Sequence, residues 1–385
     1  MKLSYRIPLL FAVLTILLIV LCVVLYLPLK ININLSSLHV ISRLEIGITG
    51  ATGNTSHLPS SVVENNYLGD IPCLDECEWN REQKRRRNTV ENACAHYNPE
   101  QVTKEVLRHI LVSDEHKTLY CYIPKVACTT WKRIILALNH GKDHIADVPR
   151  NVHSAFIPSL SIFSPDEAVK RLQNYTKLMI VRNPHERLLS AYIEKFTSTS
   201  PYAIPFQRNY GPRIQASNAK YWRKKFHLNY TEKTELDMTS RKNDKVQFQE
   251  FIRYIGDADN KLNSAAEEHW REMYRLCSPC SIKYDFIAKL ETITEDSKFI
   301  LSQIGAKNLM SIVQAKPLHA TNSSSESKIQ KAYEEITEED VLQFEKRFEK
   351  DMALFGYQRP TSITGFKSED DDRKDALRQL SLDEV

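Results

Sequence analysis

Two segments of this chain pass from strand patterning to helix patterning across a short polar turn, and that repeated plan constrains the fold more than any other feature. In the first, Leu119-Tyr-Cys-Tyr-Ile123 reads as a short strand and Pro124-Lys-Val-Ala-Cys128 as the turn. A helix follows from about Thr129, with Trp131, Ile134, Ile135 and Leu138 at core-facing spacings. In the second, Leu178-Met-Ile-Val181 leads through Arg182-Asn-Pro184 into a helix carrying Leu188, Leu189, Tyr192 and Phe196. Pro184 suits the first helical position, where its missing N–H would have no intrahelical acceptor. Strand, loop and helix in alternation predict an α/β domain with a central, mainly parallel sheet flanked by helices, and ligands gather where such strands end.

Both turns hold groups suited to anions. At the first, helix N-terminal N–H groups meet the hydroxyls of Thr129 and Thr130, while Lys125 supplies a mobile cation; together these make a phosphate cradle. The G-x-x-x-x-G-K-[ST] pattern is absent, which removes support for an ordinary ATP-hydrolysing enzyme. At the second turn, Arg182 and Ser190 can hold a separate phosphate. Arg187, a turn further on, either contributes there or is a surface charge. A polar link between strand and helix would explain the first segment alone; the pair points to a ligand with two phosphate positions.

The two motifs carry a resemblance. Tyr122-Ile-Pro-Lys-Val-Ala-Cys-Thr-Thr-Trp-Lys-Arg133 resembles the 5′-phosphosulfate loop of the carbohydrate sulfotransferases that include the HNK-1, chondroitin 4-O-, dermatan 4-O- and GalNAc 4-O-sulfotransferases. Arg182-Asn-Pro-His-Glu-Arg-Leu-Leu-Ser-Ala-Tyr192 resembles their 3′-phosphate motif. The likeness extends to Glu268-His-Trp270, Leu276-Cys-Ser-Pro-Cys280, Tyr284-Asp285 and Lys289-Leu-Glu-Thr292, and covers roughly Leu111 to Tyr357. It implies a P-loop-like sulfotransferase fold, 3′-phosphoadenylyl sulfate (PAPS) as co-substrate, no metal, and a glycosaminoglycan or glycoprotein glycan as acceptor. By the same resemblance Pro124, Lys125, Val126, Ala127, Cys128, Thr129 and Thr130 hold the 5′-phosphosulfate, with Lys125 stabilising the leaving group. Arg182, Asn183, Pro184, His185, Glu186, Arg187, Leu188, Leu189 and Ser190 form the 3′-phosphate segment. Thr130 stands where relatives usually have Asn, and His185 where an aromatic ring is common.

Sulfuryl transfer also needs a base for the acceptor proton. His153, between the two motifs, is the expected base because imidazole changes protonation near physiological pH; His269 and Glu268 are the rivals. The acceptor region is expected between the second motif and Val246. There Lys195, Arg208, Arg213, Arg223, Lys224, Lys225, Arg241 and Lys242 alternate with Tyr210, Tyr221, Trp222 and Phe226. Likeness in Phe206 to Ile214 makes O4 of GalNAc in chondroitin or dermatan the first expected acceptor, ahead of terminal glucuronate, as in HNK-1 synthesis, and terminal GalNAc. A kinase would need ATP and Mg²⁺. A catalytically silent glycan-binding protein would be expected to lose Lys125 or the Arg182 and Ser190 pair, and all of them are present.

Ile7 to Leu29 contains no charged residue and is long enough, at about 1.5 Å per residue, to cross a hydrocarbon core of roughly 30 Å. The denser positive charge of the short N-terminal side favours a cytoplasmic N-terminus. The expected organisation is therefore a cytoplasmic tail over 1–6, a transmembrane signal-anchor over 7–29, a luminal stem over 30–100, a catalytic domain over 101–357 and a disordered acidic tail over 358–385, in the Golgi membrane. The basic run Lys84 to Arg87 reads as solvated stem. N-x-[ST] patterns at Asn34, Asn54, Asn174, Asn229 and Asn322 fit a secretory chain. Cys277 and Cys280 are read as a small disulfide loop rather than half a zinc site, and Cys121 and Cys128 as reduced. A formal net charge of only +4 gives nucleic acid binding no support, and homodimerisation stays open.

Overall fold

The computed structural model describes residues 76–142, 148–149, 152, 155–227, 245–257, 267–314 and 323–379. All of them belong to one unit, Ile71–Val385. The Ile7–Leu29 run lies outside the described residues, and among those described no helix is long and apolar enough to cross a membrane.

In chain order the elements are α1 (Glu76–Cys94), α2 (Lys104–His109), β1 (Ile110–Ser113), β2 (Thr118–Cys121), α3 (Cys128–Asn139), α4 (Pro165–Asn174), β3 (Thr176–Val181), α5 (Pro184–Tyr192), α6 (Ile204–Phe226), α7 (Phe248–Gly256), α8 (Met273–Cys277), β4 (Phe286–Lys289), α9 (Ile293–Gln303), α10 (Met310–Gln314), α11 (Glu326–Glu334), α12 (Glu338–Phe355) and α13 (Glu369–Gln379). The sheet order is β1-β2-β3-β4. β1 and β2 pair antiparallel, whereas β2 with β3 and β3 with β4 are parallel, Tyr120 lying opposite Leu178 and Met179 opposite Ile287. The expected mainly parallel α/β sheet is thus present, with an antiparallel edge. Its strands are buried on both faces, as parallel sheets covered by helices must be. Trp131, Ile134, Ile135 and Leu138 of α3 all reach the core beside it. A second core joins Leu188 and Leu189 of α5 to Phe251 of α7 and Phe344 and Phe348 of α12.

The expected stem boundary at 100 falls beyond a helix that belongs to the catalytic unit. α1 buries Trp79, Gln83, Arg86 and Val90, a stripe at helical spacing. Polar residues occupy half of that stripe, so apolar periodicity does not reveal it. Trp79 donates to Asp296 at 2.9 Å, and Arg86 donates to Asp296 at 2.8 Å and to the Ile287 carbonyl at 2.9 Å. Arg86, read above as solvated stem, is therefore a buried tie between α1, β4 and α9.

The acidic tail differs from expectation in the same way. Within Glu369–Asp372, Asp372 is fully enclosed and accepts from Arg253 at 2.6 Å and from Gln249 at 3.1 Å. A buried carboxylate is tolerated only when so paired. Arg253 also holds Asp340 at 2.9 Å, so α13, α7 and α12 share one polar knot.

The Cys277–Cys280 loop is likewise corrected. Cys277 pairs with Cys121 and Cys280 with Cys94, at Cα separations of 5.9 and 5.4 Å. α8 ends at Cys277, and the left-handed Ser278 (φ 47°) turns the chain there, so one sulfur meets β2 and the other the end of α1. Cys121 is thus oxidised rather than reduced, and Cys77 is disulfide-bonded as well. Among the described residues Cys128 is the free cysteine, as expected.

Candidate active site

β2 delivers the chain into the first loop, where Lys125 (φ 72°) and Ala127 (φ 63°) adopt left-handed backbone without being glycines. Such conformations are held against strain by their surroundings and cluster at ligand sites. Ala127 is the N-cap of α3 and has no side chain with which to cap it. The N–H groups of Cys128, Thr129 and Thr130 therefore face outward with neither an intrahelical acceptor nor an N-cap side chain. By contrast, Asn183 caps α5 by accepting from the His185 N–H at 3.0 Å.

The two loops touch. Arg182 donates to the Lys125 carbonyl at 3.3 Å, so the cation after β3 sits directly against the loop after β2. Arg182 also donates to Glu186 at 3.3 Å, to Ser323 at 2.9 Å and to Ser324 at 2.7 Å. Lys125 ion-pairs with Glu194. Burial pushes the Lys125 ammonium down from its ordinary value while Glu194 pulls it back up. The Glu194 carboxyl is opposed by burial but held at about 2 by Lys125 and Lys195. Glu194 lies on a short π-helical turn, Ile193–Thr197, a widened helix geometry common at functional sites.

Behind the loops, Arg187 is fully enclosed. It donates to the carbonyls of Pro124 at 3.0 Å, Arg271 at 2.7 Å and Glu268 at 3.0 Å. Its guanidinium clamps the first loop to the 267–271 segment, a different task from the phosphate contact expected of it. His185 is equally enclosed, edge-on to Phe344 at 4.8 Å and bonded to Glu345 at 2.9 Å. It keeps the packing of an aromatic ring and adds a polar tie. Leu188 and Leu189 pack in the core, and Val126 is buried beneath the loop. Within the second motif this leaves Arg182, which reaches the first loop and is paired with Glu186, while Ser190 is buried on α5.

The third wall is the 267–271 segment with α6. His269 bonds Glu267 at 2.8 Å, and the Phe206 ring stands edge-on to its imidazole at 5.2 Å. Lys195 bonds Glu194 at 3.2 Å and lies over Phe206 at 4.2 Å, which links this wall to Lys125. Glu268 accepts from the Tyr122 hydroxyl at 3.2 Å and faces His109 at 3.6 Å.

A family model described as the Sulfotransferase family matches residues 108–358, a span containing both loops. The chain belongs to the sulfotransferase family. It is 32% identical to carbohydrate sulfotransferase 11 of Mus musculus over 295 residues, covering 75% of each chain. To carbohydrate sulfotransferase 14 of Danio rerio it is 34% identical, covering 74% of each. To carbohydrate sulfotransferase 10 of Homo sapiens it is 34% identical, covering 67% of this chain and 69% of the relative. No solved structure matches.

This sulfotransferase is a PAPS-dependent enzyme, and the loops fit that donor. The uncapped first turn of α3 and Lys125 lie in the loop that Arg182 touches. When bound, the donor supplies the activated sulfuryl group, and the protein's part is to align it and to stabilise charge on the leaving phosphate. Sequence reasoning missed Glu194, Ser323, Ser324 and Glu267. The first is hidden in an apparently ordinary helix, and the serines reach Arg182 across 141 and 142 residues of sequence. Trp222, named in the expected acceptor region, is 1% exposed, whereas Phe206 stands against His269 and Tyr210 reaches Glu267. Arg208, Arg213, Arg223 and Lys224 are exposed on α6. His153, Arg241, Lys242 and the sequons at Asn34, Asn54, Asn229 and Asn322 lie outside the described residues; Asn174 is exposed at the end of α4.

Proposed function

We propose that this chain is a Golgi carbohydrate sulfotransferase, held as a single-pass type II protein by Ile7–Leu29, that moves the sulfuryl group of PAPS onto O4 of GalNAc in chondroitin or dermatan chains. The observation that carries the reading is the junction of the two loops through the Lys125 carbonyl. It sets an uncapped helix N-terminus and Lys125 beside Arg182, which supports a nucleotide with anions at both ends, Ser190 being the further expected ligand of the 3′-phosphate. Curated relatives named carbohydrate sulfotransferases support the glycan acceptor. The exposed cations along α6 suit the uronate carboxylates of a chondroitin-type polymer. Asn174, exposed beside Tyr175-Thr176, is the described position for an attached glycan.

The test is incubation of the chain with radiolabelled PAPS and chondroitin, dermatan, heparan, terminal-glucuronate and terminal-GalNAc acceptors. Label in 4-sulfated chondroitin or dermatan disaccharides is the expected result. Label confined to terminal glucuronate or terminal GalNAc would replace the acceptor while keeping the reaction. Calorimetry gives a second check, since adenosine 3′,5′-bisphosphate (PAP) should bind at least about tenfold tighter than AMP if Arg182 and Ser190 grip the 3′-phosphate.

A further inference from the structure

We infer that His269, oriented by Glu267, is the base that takes the acceptor hydroxyl's proton; the inference rests on the sulfotransferase reading and assigns a role within that same site. His269 Nδ1 faces a Glu267 oxygen at 2.8 Å, a contact that places the ring proton on Nδ1 and leaves the Nε2 lone pair for the substrate. Glu267 is itself steadied by the Tyr210 hydroxyl at 3.4 Å. A nucleophile's base held in one tautomer by a carboxylate is a recurrent solution to proton abstraction.

Position supports the assignment. Arg187 binds the Pro124 and Glu268 carbonyls, each at 3.0 Å, so the residue before His269 and the residue before Lys125 are fixed to one guanidinium. On the other side Lys195 runs from Glu194, the partner of Lys125, to the Phe206 ring against which His269 packs. The imidazole thus stands between the donor loop and α6. Glu268 is engaged differently, by Tyr122 and His109.

In the step, the hydroxyl oxygen forms a bond to sulfur as the bond from sulfur to the bridging phosphate oxygen breaks. The hydroxyl proton goes to Nε2 of His269, and PAP leaves with the electron pair of the broken bond beside Lys125. The charged groups acting on His269 are Glu267 and Glu268 from its own segment and Lys195 from the π-helical turn, with Tyr210 of α6 acting through Glu267. Burial and Lys195 keep the imidazole below its ordinary value, against the pull of Glu267, so it is neutral and basic near pH 7.

The experiment compares kcat, KM and PAP affinity for the full chain and for His269→Asn, His269→Gln, Glu267→Gln and His153→Ala. Both His269 variants should lose about 100-fold or more in kcat while PAP affinity stays within about threefold. Glu267→Gln should lower kcat by about tenfold and move the acidic limb of the kcat profile to lower pH, a shift that a merely structural carboxylate would not cause. A folded His269 variant within about threefold of wild-type kcat overturns the assignment, as does an unmoved limb in Glu267→Gln. Should neither His269 variant fold, the limb decides by itself. Turnover abolished by His153→Ala together with retained turnover in His269→Asn transfers the role to His153. Absence of sulfate transfer by the wild-type chain would instead refute the sulfotransferase reading beneath it.

Discussion

Removing the Arg187 side chain tests whether this arginine is a phosphate ligand or a clamp. Its three donor atoms meet backbone carbonyls at 3.0, 2.7 and 3.0 Å, with no solvent exposure. A buried acceptor stripped of its donor costs about 1–3 kcal/mol, so Arg187→Ala would forfeit roughly 3–9 kcal/mol before any water enters the space. Asp351 would lose a counter-charge as well: burial lifts its carboxyl to about 7, and Arg187 is one of the groups pulling it back down. Water refilling the cavity recovers part of the loss. The expected cost is about 4–5 kcal/mol, in the range for removing one member of a buried charge pair. At a urea m-value near 3 kcal/mol/M this moves the unfolding midpoint by about 1.5 M. Arg187→Lys keeps the charge but reaches fewer of the carbonyls, so it should lose about half as much and, once folded, bind PAP within about threefold of wild type. A lysine variant of wild-type stability that has lost PAP affinity by 100-fold would refute the clamp and restore the phosphate contact.

Other consequences are open to measurement. Glu194→Gln removes the anion that competes for Lys125, and PAP should then bind several-fold tighter by calorimetry; weaker binding would mean that Glu194 instead holds Lys125 in its productive pose. Arg86→Ala strips the donor from Asp296 and the Ile287 carbonyl, and unfolding should shift by about 3–5 kcal/mol, whereas an arginine in a solvated stem could be removed without effect. Acid sensitivity follows from Glu345 and His185. Burial opposes the Glu345 charge, but Arg359 and His185 offset it and hold the carboxyl at about 2, below its ordinary 4.5. Its contribution is present above 4.5 and lost as pH falls toward 2. Burial also keeps His185 below its ordinary 6.5, so the unfolded chain takes up that proton first and stability begins to fall below 6.5. Urea midpoints against pH should show both losses, with Glu345→Gln flattening the lower one.

The parts of this fold legible in the sequence are those whose signal is local. α5 begins at Pro184 because a fixed φ and a missing N–H suit a first helical turn, and α3 shows its apolar face at regular spacing. The helices over 76–94 and 369–379 were illegible because their buried faces contain Gln83, Arg86 and Asp372, polar residues satisfied by partners far along the chain. Periodicity in hydrophobicity cannot report a stripe whose burial depends on Asp296 or Arg253. The same holds for the cysteines: Cys277 and Cys280 are three positions apart in sequence, yet each finds a sulfur more than 150 residues away, separations of 156 and 186. In the site, motif positions located the loops, while the division of labour inside the second motif depended on which donors met backbone and which met side chains.

That division explains why arginines five residues apart in one motif serve different ends. Arg187 is bound to carbonyl oxygens of the backbone, which cannot move aside without unfolding the loop, so its donors are unavailable to a ligand. Arg182 and Lys125 are held chiefly by side chains, namely Glu186, Ser323, Ser324 and Glu194, which can rotate away. A buried cation left bare would be costly, because desolvation disfavours the charged form. Internal carboxylates oppose that effect and hold both cations in place, and on the proposed reading an anion of higher charge would displace them. The net affinity for a donor is then the difference between two sets of ion pairs, not the full strength of one. On the proposed reading a nucleotide carrying anions at both ends would exchange with Glu194 and Glu186 together, whereas one lacking the 3′-phosphate would exchange at a single loop, so selectivity would follow the number of internal pairs the ligand replaces.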